Sequence, residues 1–121
     1  MTERSNWIAV GTVAELASDS ARGFVVGEGE WPLRGVMLRD ANDVVRAYVN
    51  RCPHAGHALD MKEHDFLTSD GNFIKCASHG ALFARDSGLC IAGPCAGRSL
   101  QRLEVSVDGV TVRIGTPITE P

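Results

Sequence analysis

Two short stretches carry most of the chemistry this chain can do: R-C-P-H-A-G-H at 51–57 and K-C-A-S-H-G at 75–80. Each offers one thiol and one imidazole, Cys52 with His54 and Cys76 with His79. A gap of 21 residues, 55–75, separates the two pairs. Two sulfur and two nitrogen ligands, divided evenly between two loops, suit a [2Fe-2S] cluster in which two cysteines hold one iron and two histidines the other. A Cys₂His₂ zinc site uses the same residue types, but zinc modules usually group the cysteines as C-x₂₋₄-C and the histidines as H-x₃₋₅-H. Here the types are interleaved, which favours the cluster and keeps a structural zinc module as the alternative. In extended chain, residues two apart face the same side, so Cys52 and His54 can share a pocket. Pro53 between them stiffens the backbone. Cys76 and His79 need a tighter bend, and Gly80 supplies the freedom to leave it.

The elements that must position these loops are short and β-prone. Strand candidates are Trp7–Val10, Gly23–Val26, Gly35–Arg39, Val44–Val49, Phe73–Lys75 and Ala81–Ala84. They are bounded by turn-rich segments such as D-A-N-D at 40–43 and D-S-G at 86–88. Leu103–Val107 and Val110–Ile114 flank Asp108-Gly109, a good hairpin signal. Thr12–Leu16 and Leu59–His64 each suit a turn or short helix, but neither sustains apolar spacing over three turns. Many short strands with Gly-rich turns predict an all-β barrel or stacked sheets. Both ligand pairs then fall on loops between strands.

The bulk properties bound the possibilities. At 121 residues the chain suits one domain, 1–121, with the cluster-binding part at about 50–97. Hydrophobic content of 44% with 22% charged residues is that of an ordinary globular protein. A net charge of −3 offers no basic stripe to replace phosphate counterions, which argues against nucleic acid. No apolar run approaches the ~20 residues needed to span a bilayer, and no signal peptide is visible at the N-terminus. The expectation is a cytoplasmic protein, where four cysteines are better read as metal ligands and buried thiols than as disulfides.

The two boxes resemble those of the Rieske ferredoxin family. C-P-H-A-G-H-A-L at 52–59 and C-A-S-H-G-A-L-F at 76–83 match its C-x-H and C-x-x-H-G-x-x-F patterns, and D-S-G-L-C-I-A-G-P-C at 86–95 is similar to its T-G-x-x-x-x-G-P segment. The resemblance covers about residues 7 to 115. It implies three stacked antiparallel sheets, with the cluster at a tip formed by the two loops and Gly93-Pro94 covering it from a third side. It also implies that Cys52 and Cys76 hold the inner iron and His54 and His79 the outer one.

Departures from the pattern narrow the type. Respiratory members of the family carry an extra disulfide-forming cysteine in each box, and this chain has His57 and Ser78 there. They also carry a Ser and a Tyr whose hydroxyls bond cluster and ligand sulfur, and this chain has Ala81 and Phe83. Without those donors to anionic sulfur the expected potential lies at the low end for such centres, roughly −150 mV. The gap between the boxes is a few residues longer than is usual in the family, with the extra length expected in Met61–Asp70. Other reactive residues read as ordinary. Cys90 suits a small buried hydrophobe and Cys95 packing behind Pro94, rather than a bridged or redox-active pair. His57 and His64 suit loop side chains, and Trp7 and Trp31 packing.

The resemblance implies an electron carrier rather than an enzyme. Its partners would be a flavin-dependent reductase and a terminal oxygenase, with no nucleic acid, membrane or small-molecule substrate. The alternative within the family is the small subunit of a reductase complex of the nitrite reductase kind. Retention of all four ligands counts against it, since several members of that group have lost theirs.

Overall fold

A computed structural model describes residues 7–16, 20–26, 33–40, 42–53, 58–60, 62, 64–77 and 80–117. Nine strands account for nearly all its regular structure: β1 Ile8–Thr12, β2 Ser20–Val26, β3 Leu33–Arg39, β4 Val45–Val49, β5 Phe73–Lys75, β6 Leu82–Ala84, β7 Cys90–Ala92, β8 Arg102–Asp108 and β9 Thr111–Pro117. All pairings are antiparallel. The expected all-β architecture of antiparallel sheets is present. By continuous hydrogen bonding its layers form a six-stranded sheet in the order β1-β9-β8-β4-β3-β2 and a three-stranded sheet β5-β6-β7. The larger sheet comprises two three-stranded halves that meet where β4 pairs with β8, Ala47↔Leu103 and Tyr48↔Arg102, and the Val49 N–H donates to Gln101 O at 2.8 Å.

β3 explains how the layers stack. Four consecutive residues of it, Gly35, Val36, Met37 and Leu38, are buried, so both faces of the strand are covered. Because side chains alternate along a strand, Met37 enters one apolar cluster with Leu16, Ala47, Leu103, Val112 and Ile114. Val36 and Leu38 enter the other, with Tyr48, Leu59, Phe66, Ile74 and Phe83. This second cluster lies between the large sheet and the small one and also contains all four cysteines.

The predicted strands recur with small shifts. β2 begins three residues before Gly23, because Ser20, Ala21 and Arg22 pair with Arg39, Leu38 and Met37. Partner register carries the strand into a segment of weak β-propensity. The terminal hairpin turns through Gly109–Val110, and Gly109 has φ +65°, as the first position of a type II′ loop requires. Thr12–Leu16 contains the expected short helix as a single 3₁₀ turn, Val13–Glu15, whose Glu15 carboxylate accepts the Thr12 N–H at 3.0 Å. The other candidate, Leu59–His64, forms bends and turns at its described residues. β7 has no counterpart among the predicted strands. No helix among the described residues is long and apolar enough to cross a membrane.

Candidate metal centre

Cys52 follows β4, and Cys76 follows β5 at the start of the turn into β6. Both are buried, at 1% exposure each, in the same apolar cluster. The first loop is closed by Asn50, whose side-chain oxygen accepts the Leu59 N–H at 2.6 Å while its amide donates to Asp60 at 2.9 Å. One side chain thus brackets residues 51–58. The second loop closes on itself: Cys76 N–H donates to Ala81 O and Gly80 N–H to Cys76 O, each at 2.9 Å, with Gly80 at φ +75°. Ala77 N–H then donates to Leu59 O at 2.9 Å, tying the second loop directly to the end of the first.

A third loop, after β7, packs on both. Gly93 has φ +100°, and a Cβ there would lie 2.7 Å from Ala81 Cα, so only glycine permits this approach to the second loop. Arg98 donates from Nη1 to Pro53 O of the first loop at 3.2 Å. The loop is held shut by Cys90 N–H to Arg98 O at 2.7 Å and Gly97 N–H to Cys90 O at 3.0 Å. Opposite, the turn between β6 and β7 is fixed to β4 by the Tyr48 hydroxyl, which donates to Arg85 O at 2.8 Å. Burial pushes the Tyr48 phenol up to about 12, so it stays a donor at physiological pH.

Cys52 and Cys76 therefore share one buried apolar cluster. His54 and His79 lie outside the described residues, as do His57, Ser78 and Trp31. Ala81 and Phe83 are both fully buried, Phe83 within the cluster that holds the cysteines. Cys90 and Cys95 are buried free thiols, as their expected packing roles require, but they also meet. Cys95 Sγ lies 3.0 Å from Cys90 Sγ, and Cys90 Sγ donates to Ala92 O at 3.2 Å. The Cys95 thiol is pushed up to about 12, first by burial, then by its contacts with the sulfurs of Cys90 and Cys52. Asn50 and Arg98 are two further residues of the site that no motif marks. Asn50 stands two residues before Cys52, where an amide can bond a nearby backbone, but nothing local says that its partner is Leu59.

The donor set fits an iron–sulfur centre: two buried sulfurs in apolar surroundings, on loops that also carry imidazoles in the sequence. A sequence model of the Rieske [2Fe-2S] domain matches residues 6–111. The chain belongs to the Rieske [2Fe-2S] domain family. Its cofactor is accordingly a [2Fe-2S] cluster. This Rieske chain is 35% identical over 95 residues to the carnitine monooxygenase oxygenase subunit of Acinetobacter baumannii, covering 74% of its own length and 22% of that protein. It thus spans about a fifth of the length of these curated relatives. Among solved structures, it resembles the ferredoxin of carbazole 1,9a-dioxygenase from Nocardioides aromaticivorans, with TM-score 0.70 and 25% identity over 92% of this chain and 98% of that one. It also shares the fold of the terminal oxygenase of carbazole 1,9a-dioxygenase from Novosphingobium, with TM-score 0.75 and 23% identity over 96% of this chain and 31% of that one.

Proposed function

We propose that this Rieske domain relays single electrons through a cluster held by Cys52, His54, Cys76 and His79, from a flavin-dependent reductase to a terminal oxygenase. The observation that carries the assignment is the burial of Cys52 and Cys76 in one apolar cluster, on loops joined by the Ala77–Leu59 hydrogen bond. When bound, the cluster supplies a one-electron redox centre. The chain's part is to hold it in fixed geometry. Asn50 closes the first ligand loop, the Cys76–Ala81 turn closes the second, and the third loop packs on both through Arg98–Pro53 and Gly93–Ala81. Similarity to a dioxygenase ferredoxin along nearly that protein's whole length supports a carrier role.

A second reading has one observation in its favour: the curated relatives are oxygenase subunits. In it, the same relay delivers electrons within an oxygenase. Mixing the purified, photoreduced protein with a separate Rieske oxygenase and its substrate under air separates the two. Reoxidation coupled to product formation supports the carrier. Reduced protein that passes no electrons to any added oxygenase contradicts it.

A further inference from the structure

Two buried thiols, Cys90 and Cys95, have no part in the proposed centre. Cys90 opens β7, and Cys95 stands five residues on, in the third loop. Each is 2% exposed, and their sulfurs lie 3.0 Å apart. A disulfide bond is about 2.05 Å long, so forming one asks the sulfurs to close by roughly 1 Å. The backbone around them is already fixed. Cys90 N–H donates to Arg98 O at 2.7 Å, Gly97 N–H to Cys90 O at 3.0 Å and Arg98 N–H to Cys95 O at 2.9 Å. The residues between the two thiols are a surface turn, with Ile91 48% exposed and Ala92, Gly93 and Pro94 exposed too. A local opening of that turn is the route by which a reagent reaches the sulfurs. Burial keeps the Cys95 thiol protonated. Exchange needs a thiolate, so closure is slow rather than barred, and its equilibrium follows from how near the sulfurs are held.

We propose that Cys90 and Cys95 are a reversible dithiol–disulfide couple, oxidised by a low-molecular-weight disulfide, whose closure staples the third loop against the two proposed ligand loops. The bridge itself needs no metal; its effect on the centre rests on the reading of Cys52 and Cys76 as ligands. In the step, the two protein S–H bonds and the S–S bond of the reagent break. One protein S–S bond and two reagent S–H bonds form, so two electrons and both hydrogens pass to the reagent. The ring closed by the bridge contains Gly93, where a Cβ would lie 2.7 Å from Ala81 Cα in the second loop. It also carries the Cys95 carbonyl that holds Arg98, whose Nη1 donates to Pro53 O of the first loop at 3.2 Å. Both contacts to the ligand loops are therefore anchored in or beside the ring, and a bridge removes open forms of it.

The test equilibrates the holoprotein without air in mixtures of glutathione and glutathione disulfide, then alkylates it with N-ethylmaleimide in denaturant and digests it with trypsin. Arg85 and Arg98 bound one peptide, 86–98, that holds Cys90 and Cys95 and neither Cys52 nor Cys76. As the mixture becomes oxidising, that peptide should lose both alkyl groups together and become two hydrogens lighter than the free dithiol. Dithiothreitol should restore both thiols. Iron should leave the bridged protein severalfold more slowly under a chelator than it leaves the reduced protein, and Cys95→Ala should lose that difference. The comparison of bridged with reduced wild type stands even if the variant does not fold. A peptide that keeps two alkyl groups in glutathione disulfide alone, or carries glutathione in place of a bridge, would overturn the proposal. Equal iron loss from bridged and reduced protein would overturn the stapling. A chain that closes the bridge but never binds iron contradicts the ligand reading and leaves the pair standing. The urea midpoint then reads the stapling, raised in the bridged chain if the loop is fixed and equal if it is not.

Discussion

At the scale of single residues, burial and hydrogen bonding distinguish the side chains proposed to hold the centre from those that support the fold around it. Cys52 and Cys76 are the buried thiols on the two proposed ligand loops, so Cys52→Ala or Cys76→Ala should abolish iron retention, measured as iron per chain after purification. His79→Cys should keep a cluster but lower its potential, because a negative ligand replaces a neutral one. His64 shows a different kind of work. Its backbone adopts φ +68°, unusual for a residue with a side chain, and its Nδ1 accepts the Gly23 N–H at 3.0 Å. Gly23 is on β2, which ends the six-stranded sheet, so this imidazole satisfies a donor on an open edge. Phe66 packs onto the same glycine, where a Cβ would meet its ring at 3.1 Å. His64→Ala should destabilise the protein by about 1–2 kcal/mol, read from the urea midpoint, since the strain remains and the bond is lost. No local signal favours His64 over any other loop histidine, because its partner is 41 residues away in the chain.

At the scale of elements, three loops depend on one another through very few bonds. Asn50→Ala leaves the Leu59 N–H without its partner at 2.6 Å and removes the amide donor to Asp60, a cost of about 1–3 kcal/mol. The same change loosens the first ligand loop, so iron should leave the variant faster under a chelator than it leaves wild type. At Gly93, φ +100° and a 2.7 Å approach to backbone both oppose a side chain. Gly93→Ala should therefore cost roughly 2–4 kcal/mol, again read from the urea midpoint. Most strands were legible in the sequence, because alternation and turn residues are local signals. The terminal hairpin shows this well, with Asp108-Gly109 marking its turn. What was not legible is non-local. β7 is three residues long and exists through its pairing with β6, Leu82↔Ala92 and Phe83↔Cys90. The meeting of Cys95 with Cys90 likewise depends on how the third loop folds back, which neither spacing nor composition encodes.

At the scale of the whole molecule, β3 buried on both faces welds two apolar clusters into one unit, and the loop end grows from the cluster that holds the cysteines. Far from it, Asp40 ties the β3–β4 turn by accepting the Val44 and Asn42 N–H groups and the Arg46 guanidinium. Those bonds, the one from Val44 foremost, hold its carboxyl below its ordinary value of 3.8. A carboxyl depressed in the folded state stabilises it above the unfolded value and loses that contribution as pH falls through the folded one. Stability should therefore decline below about pH 4, and Asp40→Asn should flatten that part of the urea-midpoint profile. The potential is also a property of the whole site. With Ala81 and Phe83 in place of hydroxyl donors it should lie near roughly −150 mV, and a midpoint well above about 0 mV would contradict this.

The central claim is that two cysteines and two histidines of this chain share one binuclear iron centre. EPR of the reduced protein, with iron quantified on the same sample, tests it most directly. The expected result is two irons per chain, a signal averaging near g ~1.9, and hyperfine coupling to two imidazole nitrogens, as mixed thiolate–imidazole ligation requires. A colourless protein holding one zinc, or a reduced signal with no nitrogen coupling, would contradict it.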